Sequence, residues 1–383
     1  MICGEKIHDD DGLEITSSDA AKITQAYCHL EEKLNSLYVD GKSDYQTRQR
    51  FKSLTQRVTK LKALRVHWIQ QSLCLKESRF SVNHFSNLQY LQLDNCPLRS
   101  IIGSFYQYRE KLKKLDVSGS NGLKLSRLLL SWEIDKKVVE NSENLSSMNL
   151  THQDKFVPDR SLSWISLTTL RITDCALNEL DISLHYLPAV VEIDFSHNDL
   201  LQIIHLQDCN KLNILDVSYN KIQNLSNISR FLGNISSLYV SNNQIKSLDG
   251  IDKLYSLRTF DASFNLIDDF SELKYLTKLP YLESLHLIGN PISNPSVKLG
   301  ITTPRIFMKK IAIVIYRKLV FKNLLIDGNI LGAGRDLPIL DYYPISAAHK
   351  QSLRLVNNLK PYYLACKIYL FKYQFNTLCV IST

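Results

Sequence analysis

The most regular feature of the chain is a pattern of apolar and polar positions that recurs from residue 167 to residue 292. In each unit the first, fourth, sixth and eleventh positions are apolar, the fifth is mostly polar, and the ninth is asparagine or cysteine. Alternation of apolar and polar residues is the period of a β-strand with one buried face. The pattern therefore predicts six short strands, in the units LTTLRITDCAL, VVEIDFSHNDL, LNILDVSYNKI, ISSLYVSNNQI, LRTFDASFNLI and LESLHLIGNPI.

The ninth position recurs at nearly constant intervals of 23, 22, 23, 22 and 25 residues. Such a period is typical of a solenoid, in which each coil is too small to bury its own apolar face and must stack on its neighbours. The units also fit L-x-x-L-x-L-x-x-N/C-x-L, the pattern of the leucine-rich repeat. We therefore predict an α/β fold, a leucine-rich-repeat solenoid with a curved parallel sheet on its concave face.

The repeat continues upstream in a looser form. LQYLQLDNCPL has Cys96 at the ninth position, and LKKLDVSGSNGL is a degenerate unit with Ser120 near that position. Residues 135–160 are polar and aperiodic, which predicts an inserted surface loop. The solenoid is thus assigned to residues 88–295, with about eight coils.

The flanking regions show different patterns. Residues 1–87 contain two apolar stripes with helical spacing, which predict two helices: Ile23, Tyr27, Leu30, Leu34 and Leu37, then Phe51, Leu54, Val58 and Leu61. Because a terminal coil needs a different outer face, we interpret residues 1–87 as a helical cap, or alternatively as a separate partner-binding hairpin. Residues 296–345 are predicted to form a C-terminal capping region. Residues 346–383 are a basic and apolar tail, expected to be poorly ordered or the product of a truncation or gene-model artefact.

The ninth-position residues are predicted to be structural. A side-chain amide inside each turn can satisfy backbone groups of the neighbouring coil, which stacking would otherwise bury unpaired. This predicted Asn/Cys ladder consists of Cys96, Cys175, Asn198, Asn220, Asn243, Asn265 and Asn290.

The fifth position of each unit must point out of the solenoid, because strand side chains alternate between faces. Carboxylates in neighbouring strands would attract Lys or Arg of a partner, and tyrosine is a frequent interface residue. The candidate partner-binding residues are Glu192, Asp194, Asp216, Tyr239, Asp261 and His286. The alternative interpretation is that the aspartates cap loops or keep the sheet face soluble.

Charge is unevenly distributed along the chain, which has a net charge of +8. Residues 164–295 carry 9 Lys and Arg against 15 Asp and Glu, whereas residues 296–383 carry 13 against 3. A basic tail can attract nucleic acid or anionic lipid, but no nucleic-acid-binding motif accompanies it, so no nucleic-acid partner is expected.

The remaining signals favour a cytoplasmic, monomeric, non-catalytic protein. The eight cysteines are scattered, and there is no secretory leader or apolar run of membrane-spanning length. Phosphate-binding loops, hydrolase elbows and metalloprotease motifs are missing from the sequence. We therefore expect no cofactor, no metal site and no catalysis, but a surface that holds a protein partner.

The order of the repeats and their flanks resembles one family of intracellular proteins with twenty-two-residue repeats, the proteins that interact with the liver serine/threonine kinase (serine/threonine kinase eleven). The resemblance lies in LQYLQLDNCPL followed by LRSIIGSFYQY, in the W-I-S-L entry at Trp164, and in LLIDGNIL after the repeats. Nischarin-like repeats are more distantly similar. The resemblance implies a cytoplasmic scaffold that binds a serine/threonine kinase. The alternative is a regulatory subunit that binds a protein phosphatase catalytic subunit.

Overall fold

The computed structural model describes most of the chain up to residue 293, in the ranges 7–8, 12–39, 45–68, 79–103, 105–130, 162–293, 325–326 and 329–330. The predicted loop at residues 135–160 and the predicted tail at residues 346–383 lie outside the described residues, as does most of the predicted C-terminal capping region.

The described strands form one long sheet and a separate short pair. The strands are β1 (Ile7–His8), β2 (Gly12–Thr16), β3 (Ala63–His67), β4 (Phe80–Ser81), β5 (Tyr90–Asp94), β6 (Ile101–Ile102), β7 (Lys114–Ser118), β8 (Thr169–Thr173), β9 (Glu192–Asp194), β10 (Ile214–Asp216), β11 (Ser237–Tyr239), β12 (Thr259–Asp261), β13 (Ser284–His286), β14 (Leu325–Ile326) and β15 (Asn329–Ile330). In the long sheet the order is β1-β2-β3-β5-β7, then β8 to β15 in sequence, and β4 pairs with β6. Pairing is parallel from β2 to β14, with the antiparallel strands β1 and β15 at the two ends.

Helical segments connect most consecutive strands and return the chain to the start of the next coil, whereas the fully described connection from β9 to β10 has no helical segment. The α-helices are α1 (Ser17–Val39), α2 (Tyr45–Lys60), α3 (Leu125–Leu129) and α4 (Leu273–Leu276). The 3-10 turns are Leu98–Ser100, Phe105–Tyr108, Ile182–Tyr186, Ile228–Arg230, Ile251–Lys253, Phe270–Glu272 and Pro291–Ser293. Within the helices that the structure describes, none combines the length and apolar character needed to cross a bilayer.

The apolar positions of the repeat form one continuous core between the sheet and the returning segments. Leu215 and Val217 of one coil, and Leu238 and Val240 of the next, are completely inaccessible to solvent. The predicted leucine-rich-repeat solenoid with its parallel sheet is therefore confirmed.

Neighbouring strands pair without offset, so equivalent repeat positions lie side by side. Leu215 pairs with Leu238, and Asp216 pairs with Tyr239. A slip of one residue would place a charged side chain in the core, because successive strand residues face opposite sides. The apolar pattern thus fixes which side chains line the outer face of the sheet.

The two helices predicted in residues 1–87 are confirmed as α1 and α2, but the sheet also extends into this region. β2 and β3 are parallel strands that continue the solenoid before β5. The core side chains Ile15, Leu64 and Val66 are buried as in the later coils. Sequence analysis did not predict these strands, because neither is followed by the asparagine or cysteine that marks the repeat.

Each ladder asparagine joins its coil to the preceding one through both ends of its amide. Nδ2 of Asn198 donates to the carbonyl of Ile172 at 2.7 Å and to that of Phe195 at 3.0 Å. Oδ1 accepts the backbone N–H groups of Cys175 and Leu177, both at 3.1 Å. The same bridging arrangement recurs at Asn220, Asn243, Asn265 and Asn290. Backbone groups that stacking would leave buried and unpaired are satisfied in this way.

Cysteine occupies the same position in two earlier coils. The thiols of Cys96 and Cys175 point at the carbonyls of Val66 and Val117, at 3.5 and 3.6 Å. Burial raises the pKa of Cys96 to about 12 and that of Cys175 to about 11. Both thiols therefore stay protonated at neutral pH and act as weak donors to the neighbouring coil.

Candidate functional site: the concave face of the sheet

One outward-facing residue of each parallel strand of the long sheet from β2 to β13, at the fifth position of the repeat or in register with it, belongs to a single line across the concave face, here called the concave column. In strand order it consists of Glu14, Arg65, Gln92, Asp116, Arg171, Asp194, Asp216, Tyr239, Asp261 and His286. Five of the six predicted partner-binding residues lie in this column, and Glu192 lies two positions earlier on β9. Parallel strands are about 4.8 Å apart, so consecutive members are near neighbours.

Three aspartates of the concave column also stabilise the chain that leaves each strand. Asp194, Asp216 and Asp261 each accept, through Oδ1, the backbone N–H of the serine two residues later, at 3.0, 2.9 and 2.9 Å. The capping interpretation thus describes part of their role. A carboxylate has about four acceptor positions, so one such hydrogen bond leaves room for a partner's cation.

Arg171 separates the acidic part of the concave column from the mixed part before it. Its Nη2 donates to Oε1 of Glu192 at 2.6 Å. The charge of Glu192 is therefore already balanced, which makes this residue the weakest member of the predicted site. The unbalanced negative charge begins at Asp194 in the next coil.

Asp194, Asp216 and Asp261 have no Lys or Arg ion-pair partner among the residues that the structure describes. Burial raises the pKa of Asp216 above its ordinary value, and repulsion from Asp194 and Asp261 raises it further. This part of the face would therefore gain stability from an incoming positive charge.

We expect the Asp216→Asn variant to be more stable than the wild type at neutral pH. A carboxyl whose pKa is raised by folding destabilises the folded state once the pH exceeds its unfolded value, whereas asparagine keeps the acceptor and removes the charge. The gain should disappear near pH ~3, where both states of the wild type are protonated. Urea denaturation at the two pH values measures the difference.

Asp94→Asn is the control for this prediction, because it should change the stability in the opposite direction. Burial alone would raise the pKa of Asp94, but hydrogen bonds from Gln92, Arg65 and Ser118 outweigh it and hold the pKa below its ordinary value. The charged form therefore stabilises the fold, and Asp94→Asn should lower stability at neutral pH. If the two variants change stability in the same direction, the electrostatic interpretation is wrong.

Charged side chains at the amino-terminal end of the concave face are paired with each other. His67 lies between two carboxylates, at 2.5 Å from Glu14 and 2.8 Å from Asp94, and Arg65 donates to Asp94 at 3.0 Å. A shallow depression of about 260 Å³ lies beside this network, and its lining includes Gly12, Tyr90 and Lys114. This network could not be predicted from the sequence, because three of its residues, Glu14, Arg65 and His67, lie on strands that carry no repeat signature.

A second feature missed from the sequence is a line of four exposed side chains and one half-buried asparagine at the carboxyl ends of the strands, here called the aromatic edge. It consists of His197, Tyr219, Asn242, Phe264 and Ile288. The first four are the residues immediately before a ladder asparagine, and all four have left-handed φ angles, of 56°, 56°, 54° and 53°. The signal available in the sequence was an aromatic residue at a fixed repeat position.

The concave face has the features of a binding surface. Across the described ranges, no three His, Cys, Asp or Glu side chains converge in a way that could hold a metal ion. A long, curved, charged surface of this kind suits a macromolecular partner.

The stacked parallel coils and their asparagine ladder define the fold of this chain as a leucine-rich-repeat solenoid. Consistent with this, a family model described as Leucine Rich repeats (2 copies) matches residues 233–275.

Among known proteins, this chain is similar to kinase-interacting proteins from two species. The chain is 32% identical over 134 residues to the Serine/threonine-protein kinase 11-interacting protein of Gallus gallus, and 32% identical over 133 residues to the Homo sapiens protein of that name. Each match covers 34% of this chain and 12% of the relative, so the chain matches only a small part of either protein. The predicted resemblance to these proteins is confirmed.

Among solved structures, an internalin C2 from Listeria monocytogenes is similar with a TM-score of 0.40 and 15% identity. The match covers 63% of this chain and 87% of the internalin.

Proposed function

We propose that this chain is a non-catalytic scaffold that binds a protein partner on the concave face of its solenoid. The observation that carries the proposal is the concave column, in which Asp194, Asp216 and Asp261 present uncompensated negative charge around Tyr239. Tyrosine combines a large contact area with a hydrogen-bonding hydroxyl, and it is enriched at interfaces.

The similarity to kinase-interacting proteins supports a serine/threonine kinase as the partner. A cytoplasmic location follows from such a partner. A positively charged patch on the kinase would meet the acidic part of the column, since complementary charges steer association and set orientation.

The test measures retention of recombinant serine/threonine-protein kinase 11 on the immobilised chain. A phosphatase catalytic subunit is tested in the same way as the alternative partner. The test variant is Asp194→Asn/Asp216→Asn/Asp261→Asn, which preserves the three backbone acceptors and removes three negative charges. The matched control, Glu110→Gln/Glu179→Gln/Asp249→Asn, removes three exposed negative charges from other surfaces.

We expect the wild type and the control to retain the kinase, and the test variant to bind at least about tenfold more weakly, a loss of about 1.4 kcal/mol. Equal retention by the test variant would exclude the concave column as the site. Retention of the phosphatase subunit alone would exclude a kinase as the partner.

A further inference from the structure

Part of the aromatic edge has a local conformation that its side chains do not favour. A left-handed φ suits glycine, and asparagine, aspartate and histidine adopt it more often than other residues do. Other coils follow this preference at the equivalent position, with Asn95, Gly119, Asp174, His197, Asn242 and Gly289. Tyr219 and Phe264 depart from it.

These aromatic side chains contribute little to the core of the solenoid. Tyr219 is 50% exposed and Phe264 is 55% exposed. The ring of His197 stacks on Tyr219 at a centroid distance of 4.1 Å, and the ring of Phe264 covers Gly289, where an added methyl group would overlap it. These contacts hold the rings in place on the surface. The stacked pair of His197 and Tyr219 lies on one side of the smaller Asn242, and Phe264 lies on the other.

Unfavourable conformations persist where the position has a functional role, and exposed apolar patches mark interaction surfaces. Ile288 extends the patch into the next coil and is 52% exposed. The rings of Tyr219 and Phe264 lie outside the core and the asparagine ladder, so their exposed faces are accessible to a partner.

The aromatic edge lies beside the acidic part of the concave column. Only two residues along the chain separate Asp216 from Tyr219, and Asp261 from Phe264. The serines between them, Ser218 and Ser263, are small and buried. A segment crossing several coils would therefore contact aromatic rings on one side and carboxylates on the other.

The spacing of the coils favours a helix as that segment. Strands repeat about every 4.8 Å, one turn of α-helix rises about 5.4 Å, and an extended chain advances about 6.7 Å between residues on the same face. From Asp194 to Asp261 are three coil steps, over which a helix drifts by about 2 Å and an extended chain by about 6 Å.

We propose that the aromatic edge and the concave column together seat a basic amphipathic α-helix of a protein partner. The proposal rests on the proposed function and adds the class of segment recognised. Basic side chains at about i, i+4 and i+11 of the helix would face Asp194, Asp216 and Asp261. An apolar side chain near i+7 would meet Tyr239, and the flanking apolar residues would cover Tyr219 and Phe264.

The test measures fluorescence anisotropy of helix-stabilised peptides of about eighteen residues. In the patterned probe, lysines occupy positions i, i+4 and i+11, an apolar residue occupies position i+7, and further apolar residues flank it. The isomeric probe has the same composition, but its lysines are distributed around all sides of the helix. The test variant is Tyr219→Asn/Phe264→Asn, because asparagine already occupies the equivalent position in one coil. The matched control is Tyr255→Asn/Tyr281→Asn, two exposed tyrosines that precede β12 and β13.

The patterned probe should bind the wild type and the control at least about tenfold more tightly than the isomeric probe. The test variant should bind it at least about tenfold more weakly, yet melt at the same or a higher temperature, because asparagine tolerates the left-handed conformation. A merely structural role for the rings predicts the opposite, a lower melting temperature with unchanged binding.

Equal binding of the two probes, or unchanged affinity in the test variant, would overturn the proposal. Kinase retention that depends on the three aspartates but not on Tyr219 and Phe264 would reject the helix seat and leave the proposed function intact. Kinase retention that depends neither on the three aspartates nor on Tyr219 and Phe264 would reject both the helix seat and the proposed function.

Discussion

Replacing Trp164 with alanine is expected to lower the free energy of unfolding by about 4 to 8 kcal/mol. The side chain is completely buried, and its Nε1 donates to the carbonyl of Leu129 at 2.8 Å. Truncation of a buried tryptophan costs about 3 to 5 kcal/mol, and the unpaired carbonyl adds about 1 to 3. Trp164 also joins α3 to the coil that follows, so the loss should reduce the cooperativity of unfolding.

Chemical denaturation followed by circular dichroism measures this effect. Ile165→Ala is the matched control, because the neighbouring side chain is exposed and should change stability by less than about 0.5 kcal/mol. A loss below about 2 kcal/mol in Trp164→Ala would mean that the core at this joint can rearrange.

The Asn243→Ala variant should lose about 3 to 5 kcal/mol of stability. Nδ2 donates to the carbonyl of Val217 at 3.0 Å, and Oδ1 accepts the N–H of Ile222 at 2.9 Å. Alanine would leave both groups buried and unpaired, at about 1 to 3 kcal/mol each, and would also leave a small cavity.

The adjacent residue provides the control for this prediction. Asn242 has a left-handed φ that glycine also adopts, so Asn242→Gly should leave stability nearly unchanged. Equal losses in the two variants would show that the turn as a whole, rather than the ladder amide, sets the stability of the coil.

The strands from β8 to β13 could be predicted from the sequence because one motif encodes both the period and the register. The apolar positions determine which face is buried, and the ladder residue aligns each coil with the next. Leu215 and Leu238 thus lie side by side in the structure, as their places in the motif require. The same logic correctly placed Asp194, Asp216 and Asp261 in one line.

The features that could not be predicted depend on contacts beyond the motif. β3 joins the sheet by pairing with β5, and β2 by pairing with β3, although no ladder residue follows either strand. The left-handed backbone at Tyr219 and Phe264 is imposed by the turn geometry of the solenoid, against the preference of those residue types. The ion pair between Arg171 and Glu192 depends on side-chain conformations, which the pattern does not determine.

Photocrosslinking at two tyrosines distinguishes a partner bound on the inner wall of the solenoid from one bound on another surface. Tyr239 lies in the middle of the concave column, whereas Tyr255 is 59% exposed in the turn before β12. With a photoreactive phenylalanine analogue at one site or the other, bound kinase should crosslink efficiently from position 239 and weakly from position 255. Equal crosslinking from both sites, or crosslinking from position 255 alone, would contradict binding on the concave face.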